Sequence, residues 1–229
     1  MNEVCVSIEA PTPAKFLYQL EKLGKGHDFF ELRLDSLDTC NLDTIESLLA
    51  KVSVPIIATI RSKSEGGKFA GSFEEQSQLV RACLKSKASY CDIELSLLEQ
   101  FPDLLKVTTS ERLIISYHNF QATPDDDELQ KIIKQMKAVA PKSIYKIACM
   151  AKDSNDVVRL TELQKTFEPR RAVIVAMGEQ GQILRLLGPS LGAFTSFASA
   201  NEQPVAPGQL YYRKTKDLMI AMETSDGGQ

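Results

Sequence analysis

Two residues that could carry out covalent chemistry, His118 and Lys146, stand on consecutive apolar runs of the chain. His118 ends the run that starts at Arg112, and Lys146 lies within the run that starts at Ser143. Apolar runs rich in β-branched residues predict strands, and the amphipathic segment between these two predicts a helix. If neighbouring strands bring the two side chains together, they provide an acid/base and an amine nucleophile.

Lys146 lies in a stretch that favours burial. Ile144 and Ala148 share its face of the predicted strand, and the two residues that flank it are also apolar or aromatic, so we expect cover on both faces. A desolvated lysine can attack a carbonyl as the free amine, although a lysine taken alone is more often a surface residue. His118 has a similar alternative, because an isolated histidine is more often a hydrogen-bonded core residue than a catalyst.

Further polar residues gather near the carboxyl ends of the predicted strands, where a barrel carries its active site. They are Glu31, Arg33, Asp35, Thr59, Arg61, Asp92, Glu94 and Ser116. Polar residues of the same predicted strand are two positions apart, so they lie on one face of that strand. Two interpretations stay open. One is a set of internal ion pairs, such as Glu31–Arg33 and Asp92–Arg61, and the other is a charge-lined pocket for a small hydroxylated substrate, which the position at the strand ends favours.

Glu65 follows the third predicted strand and is itself followed by two glycines, which permit a tight loop. It is a candidate carboxylate partner for His118, and the alternative is a solvent-exposed loop acid. In the last third of the chain, Arg185 suits a carboxylate ligand, because a guanidinium binds carboxylates through a bidentate fork. The glycines after the seventh predicted strand match no phosphate-loop spacing.

The turn Ala206-Pro-Gly-Gln209 places Gln209 where it can bond a polar ligand, although the turn is equally readable as a plain helix start. The preceding loop, residues 198–207, is long enough to act as a lid.

Eight strand-like runs alternate with eight amphipathic segments along the chain. The predicted strands are residues 3–10, 28–34, 54–60, 90–94, 112–118, 143–148, 171–177 and 192–197. The predicted helices are residues 14–23, 42–51, 73–87, 97–107, 125–139, 154–167, 181–187 and 209–222. This alternation predicts an α/β fold, a closed (β/α)8 barrel formed by residues 1–223 as a single domain, with a flexible tail at 224–229. An open doubly wound sheet is the alternative, and it is disfavoured because no Gly-x-Gly-x-x-Gly follows the first strand.

Composition narrows the class of protein. The 229 residues carry a formal charge of −3, which gives no reason to expect binding to nucleic acid or to an anionic membrane. No apolar run approaches the roughly 20 residues that span a bilayer, and the N-terminus lacks a secretory pattern. The five cysteines include no Cys-x-x-Cys and there are two histidines, so we expect reduced thiols, a cytoplasmic protein and no metal site.

The motifs occur in an order and spacing that is specific as a set. They are Glu31-Leu-Arg33-Leu-Asp35, Thr59-Ile-Arg61 with Glu65-Gly-Gly, Asp92-Ile-Glu94, Ser116-Tyr-His118-Asn-Phe, Tyr145-Lys146-Ile-Ala, Met177-Gly178 with Gly181 and Arg185, and Ala206-Pro-Gly-Gln209. This set resembles the type I 3-dehydroquinate dehydratase family along nearly the whole chain. The resemblance implies a (β/α)8 barrel that dehydrates 3-dehydroquinate to 3-dehydroshikimate in the shikimate pathway, without cofactor or metal.

The resemblance also implies roles for individual residues. Lys146 would form a Schiff base with the substrate ketone, His118 would act as general acid/base, and Glu65 would pair with His118. The residues implied in substrate binding are Ser7, Glu31, Arg33 and Arg61 for hydroxyls or general contact, and Arg185 and Gln209 for the carboxylate. We further expect a small-molecule substrate, and we consider a homodimer.

One position departs from the family pattern. Val205 stands where the family commonly has a lid serine, so we expect the lid to close differently over the substrate.

Two other functions remain as alternatives. A class I aldolase would require a phosphate cradle that the sequence does not show, and a non-catalytic ligand-binding barrel would not need both Lys146 and His118.

Overall fold

The computed structural model describes residues 4–24 and 29–224. Its strands are β1 Val4–Ile8, β2 Phe29–Arg33, β3 Ile56–Thr59, β4 Tyr90–Glu94, β5 Leu113–Asn119, β6 Ile144–Met150, β7 Ala172–Met177 and β8 Ser196–Ser199. Its α-helices are α1 Pro13–Leu23, α2 Leu42–Leu49, α3 Phe73–Lys85, α4 Leu95–Gln100, α5 Asp126–Val139, α6 Ser154–Lys165, α7 Gln182–Leu187 and α8 Tyr212–Thr224. Strands and helices therefore alternate along the described chain.

The strands form a single parallel sheet with the order β7-β6-β5-β4-β3-β2-β1-β8. The segment before β8 returns to β7, because Phe194 N donates to Ala172 O at 2.8 Å and Arg170 N donates to Gly192 O at 2.7 Å. The sheet therefore curls into a nearly closed barrel. The predicted (β/α)8 fold is confirmed, and the open doubly wound sheet is wrong.

The interior of the barrel is apolar at its amino end. Phe29, Tyr90 and Phe194 meet there with ring centroids 5.0–5.6 Å apart. Above these rings lie the interior residues Cys5, Ile57, Ile114, Ile144 and Val173. This end buries large apolar surface and excludes water. Polar chemistry is left to the carboxyl end.

Side chains of the opposite strand parity form the larger core between the barrel and its helices. Strand residues such as Val6, Leu32 and Ile115 are fully buried there, and each contributes about 1.5–3 kcal/mol by leaving water. The helices begin at polar caps. Asp125 accepts from Glu128 N at the start of α5, and Asp153 accepts from Asp156 N at the start of α6.

Three predicted elements differ from the structure by three residues or more at one end. The predicted helix 97–107 begins earlier and stops at Gln100, because the residue before Pro102 is disfavoured in helical conformation; Phe101 has φ −125° and ψ 63°. The predicted strand 192–197 is shifted to Ser196–Ser199, since Gly192 is left-handed at φ 83°. The last helix begins at Tyr212 rather than at residue 209.

Residues 3, 28 and 225–229 of the predicted strands and tail lie outside the described residues. Among the helices that are described, none combines the length and the apolar character that crossing a bilayer requires.

Candidate active site

A cleft of about 530 Å³ opens at the carboxyl ends of the strands. Every residue predicted from the sequence as a site residue lines it. These residues are Ser7, Glu31, Arg33, Arg61, Glu65, His118, Lys146, Arg185 and Gln209. They come from four strands, β1, β2, β5 and β6, and from the segments that follow β3, β7 and β8, and only the closed barrel brings them to one place.

Lys146 lies on the floor of the cleft, where β6 presents it inward beside Ser116 of β5. Its Nζ is 3.0 Å from Asp92 Oδ2 and 3.5 Å from Glu31 Oε1. The same nitrogen stands 4.4 Å from the centroid of the Phe197 ring. The side chain is 9% exposed. The amine is therefore fixed by two carboxylates and an aromatic face and is still reachable from the cleft.

Asp92 lies at the centre of a buried ionic network. Arg61 donates to Asp92 Oδ1 at 2.6 Å and to Ser116 Oγ at 2.8 Å, and Ser116 Oγ also donates to Asp92 at 2.6 Å. Burial favours the neutral acid, but the positive charges of Arg61 and Lys146 outweigh it and hold the pKa of Asp92 well below its ordinary value. Burial opposes the charge on Arg61, but the negative charges of Asp92, Glu94 and Glu65 outweigh it and raise the pKa of Arg61. Asp92 therefore stays ionised.

His118 and Glu65 form a hydrogen-bonded pair at the rim of the cleft. His118 Nδ1 is 2.9 Å from Glu65 Oε2, and Ser96 Oγ donates to Glu65 Oε1 at 3.0 Å. The loop that carries Glu65 turns at Gly66, whose φ of +79° favours glycine, and a Cβ there would lie 2.1 Å from the Phe120 ring. A glycine is therefore required for Glu65 to reach the histidine.

Both members of this pair are driven towards their neutral forms. Burial raises the pKa of Glu65 to about 8, although the charge of Arg61 opposes the rise. Burial also lowers the pKa of His118 well below its ordinary value, and the positive charges of Arg61 and Lys146 lower it further. An imidazole with these neighbours is unprotonated at neutral pH, so it can accept a proton.

Arg185 is a buried cation without an acidic partner within ion-pair distance in the described part of the chain. It is 6% exposed. Among the described residues, its guanidinium donates only to the carbonyl oxygens of Pro207 at 3.1 Å and Phe197 at 3.5 Å, and its Nε finds no hydrogen-bond partner there. Burial lowers the pKa of Arg185 to about 10. A buried guanidinium of this kind is suited to an anion from outside the chain.

A hydrogen-bonded chain of polar groups crosses the cleft from the lid loop to the first strands. Val205 N donates to Gln209 Oε1 at 3.0 Å, Gln209 Nε2 donates to Ser7 Oγ at 3.2 Å, and Ser7 Oγ donates to Glu31 Oε2 at 2.6 Å. Thr59 Oγ1 donates to the other oxygen of Glu31 at 3.1 Å. The lid loop is thus tied to the barrel through a backbone amide at Val205.

Arg33 pairs differently from the expected ion pair with Glu31. Its Nε and NH2 groups bind the two oxygens of Asp35 at 3.1 and 2.9 Å. The chain leaves β2 in a 3₁₀ turn, Leu34–Ser36, which folds Asp35 back beside the guanidinium. The expected pair Asp92–Arg61 is present. The site therefore combines a pocket with internal ion pairs.

Comparison with known proteins identifies the family. The sequence model of the type I 3-dehydroquinase family matches residues 4–226. The chain belongs to this family. It is 34% identical to a 3-dehydroquinate dehydratase of Coxiella burnetii strain CbuK_Q154 over 94% of this chain and 91% of the relative. A 3-dehydroquinate dehydratase of Methanocaldococcus jannaschii is 30% identical over 96% of this chain and 99% of its own length.

A solved structure agrees with this assignment. The 3-dehydroquinate dehydratase of Geobacillus kaustophilus HTA426 superposes with a TM-score of 0.84 at 27% identity, covering 98% of this chain and 92% of that one. Membership of the type I 3-dehydroquinase family supports dehydration of 3-dehydroquinate, a lyase reaction of the shikimate pathway that leads towards aromatic compounds. It does not support the class I aldolase.

Two aromatic residues of the cleft are absent from the set predicted from the sequence. Phe197 faces the amine of Lys146, and Phe120 stacks near His118 with centroids 6.4 Å apart. Asp92 and Ser116, which the sequence places among the polar residues at the strand ends, contact Lys146 and Arg61. No group of three or more His, Cys, Asp or Glu residues in the described chain is arranged to hold a metal ion.

Proposed function

We propose that this protein dehydrates 3-dehydroquinate to 3-dehydroshikimate through a Schiff base on Lys146, with His118 as the general acid/base. One observation carries the proposal. A buried, cleft-facing amine shares its cavity with the His118–Glu65 pair and with Arg185, a buried cation that lacks an acidic partner among the described residues. A keto acid with a removable α-proton and a β-hydroxyl is the kind of substrate that these groups could process together.

The first step is imine formation. The Lys146 nitrogen attacks the ketone carbon to give a carbinolamine. The hydroxyl of the carbinolamine then takes up a proton and leaves as water when its carbon–oxygen bond breaks, which forms the cationic iminium; this proton is released again when the product iminium is hydrolysed. The iminium is a stronger electron sink than the ketone, so it acidifies the adjacent C–H bond. Phe197 packs against Nζ and limits the solvent around it.

The second step is elimination. His118 removes the proton next to the iminium carbon, and the C–H electrons move to nitrogen to form a neutral enamine. The enamine then expels the β-hydroxyl, to which the imidazolium returns the proton, so that one water molecule leaves. Hydrolysis of the new iminium consumes one water, releases the product and frees Lys146. Above the pKa of Glu65, its carboxylate accepts from Nδ1–H of His118, which leaves Nε2 free as the base for the substrate.

The substrate carboxylate is assigned to Arg185, supported by the amide of Gln209. The ring hydroxyls are assigned to Ser7, Glu31 and Arg33, which also line the cleft. Arg61 remains a predicted hydroxyl contact, although its terminal nitrogens already bind Asp92 and Ser116. In this assignment, the guanidinium of Arg185 fixes the carboxylate end of the ligand, and the other polar contacts recognise its hydroxyl groups.

Borohydride trapping tests the proposal. The protein is incubated with 3-dehydroquinate and sodium borohydride, its intact mass is measured and the modified peptide is mapped. We expect one reduced adduct on Lys146, and none in Lys146→Met. Lys142→Met is a matched control, because Lys142 is an exposed lysine nearby in the sequence that pairs with Glu111. An adduct on another lysine, or turnover without any adduct, would refute the mechanism. Absence of both turnover and adduct would favour the non-catalytic barrel.

The remaining expectations are proposals of the same kind. We propose a reaction without cofactor or metal, a cytoplasmic location, which the five free cysteines favour, and a homodimer. Activity after exhaustive chelation, fractionation of the source cells and sedimentation of the purified protein measure these three properties.

A further inference from the structure

The amine of Lys146 is in closest polar contact with Asp92. The carboxylate of Asp92 is buried, with its side chain 0% exposed, and each of its oxygens has a separate task. Oδ2 binds Lys146 at 3.0 Å, and Oδ1 binds Arg61 and Ser116, both at 2.6 Å. Such an arrangement fixes the orientation of the carboxylate, and through it the position of the amine.

We propose that Asp92 is a positioning residue that directs the Lys146 amine into the cleft and serves as the counter-ion of the iminium. This inference rests on the proposed function of Lys146. Among the steps of the reaction, imine formation places a lasting positive charge on Nζ, whereas the carbinolamine and the enamine carry none there. A fixed negative charge 3.0 Å away therefore favours the iminium over the states on either side of it.

The network also explains why Asp92 would act as a counter-ion rather than as a base. Arg61 binds the oxygen that Lys146 does not use, so the carboxylate keeps its negative charge when the amine loses its proton. Because Asp92, Arg61 and Lys146 are buried, solvent screens their charges only weakly. Glu31 lies farther from the amine, at 3.5 Å, and is held by Ser7 and Thr59, so it is a weaker substitute for Asp92.

Asp92→Asn tests the proposal, because it keeps the size of the side chain and removes its charge. The measurement is the fraction of protein trapped by borohydride at saturating 3-dehydroshikimate, together with kcat and KM. We expect the equilibrium ratio of iminium to free amine to fall by at least about tenfold and kcat to fall with it, while KM changes less.

Glu94→Gln is the matched control. Glu94 is the next inward-facing acid on β4, it is also buried, and it binds Arg61 at 3.3 Å without contacting Lys146. Both variants remove an acid beside Arg61, so both report any general disturbance of the network. We expect Glu94→Gln to keep the adduct fraction of the wild type. Equal adduct fractions in Asp92→Asn and the wild type would overturn the proposal, and so would equal losses in the two variants.

Ser116→Ala keeps the test decisive if Asp92→Asn does not fold. It removes one hydrogen bond from Asp92 and leaves every charge in place. We expect a lower adduct fraction, and an unchanged fraction and kcat would overturn the proposal. Failure of the Schiff base and failure of the role of Asp92 give different results. Absence of an adduct in the wild type refutes the Schiff base, whereas a wild-type adduct that persists in full in Asp92→Asn refutes only the role of Asp92.

Discussion

Replacement of Arg185 by methionine should make the protein no less stable and much less active. Arg185 is buried and has no acidic partner within ion-pair distance among the described residues. Burial lowers the pKa of Arg185 to about 10, below its ordinary value. Holding the charge in the folded protein therefore costs roughly 3 kcal/mol at neutral pH. Methionine is an unbranched apolar side chain that can occupy much of the same space without this cost.

The lost hydrogen bonds offset part of this gain. The bonds to Pro207 O at 3.1 Å and Phe197 O at 3.5 Å are together worth roughly 1–3 kcal/mol. Pro207 O keeps a donor, since Gly178 N binds it at 3.3 Å. We therefore expect Arg185→Met to be between unchanged and about 2 kcal/mol more stable, which corresponds to a melting temperature higher by up to roughly 8 °C.

The catalytic activity of Arg185→Met should fall, although its stability does not. Loss of a buried charged hydrogen-bond partner typically costs about 2–5 kcal/mol, which is roughly a 30- to 5,000-fold loss in kcat/KM. Urea denaturation and steady-state kinetics on the same preparations measure both effects. Arg81→Met is the control, because Arg81 forms a partly exposed pair with Asp103 far from the cleft residues. A variant that is destabilised by more than about 1 kcal/mol, or that retains kcat/KM within about threefold, would show that Arg185 is structural.

Three further predictions concern the histidine pair and its loop. His118→Ala should still give the borohydride adduct on Lys146 but turn over about 10²–10⁴-fold more slowly; undiminished turnover would remove His118 from its role. Since the pKa of Glu65 is raised to about 8, the carboxylate that orients His118 is lost as pH falls below that value. We expect kcat/KM to decline there in the wild type but not in Glu65→Gln, and a flat wild-type profile would contradict this. Gly66→Ala should cost about 1–3 kcal/mol in urea denaturation because of its clash with Phe120, whereas Gly192→Ala, which has the same left-handed backbone (φ +83°) and no atom closer than 3.4 Å to the added Cβ, should cost less; equal losses would exclude the clash.

Much of the fold follows from local patterns in the sequence. Short β-branched runs alternate with amphipathic segments, and each strand needs a partner on both edges, which the barrel supplies. The errors arise where a single backbone preference overrides the pattern. Pro102 ends a segment whose apolar spacing continues to Val107, and Gly192 adopts a left-handed conformation in a run that otherwise resembles a strand.

The sequence also predicts which residues line the cleft, but it does not predict which acidic residue pairs with which basic residue. Strand parity alone places Glu31, Ser116 and Lys146 inside the barrel near its carboxyl end. Which acid binds which cation depends on side-chain reach and on the path of the chain after each strand. Arg33 binds Asp35 because a 3₁₀ turn folds the acid back, and no periodicity in the sequence encodes that turn.

The charges of the cleft are distributed so that a keto acid has one favourable orientation. Glu31 and Asp92 surround the amine of Lys146, while Arg185 faces the cavity from the segment between β7 and β8 without a counter-ion among the described residues. In the proposed reaction, a substrate whose carboxylate meets Arg185 would bring its ketone towards Lys146. The reverse orientation would place the carboxylate against two buried acids in a poorly solvated site, where like-charge repulsion is strong. Under that proposal, the cation that is costly for folding would align the substrate for attack by the amine.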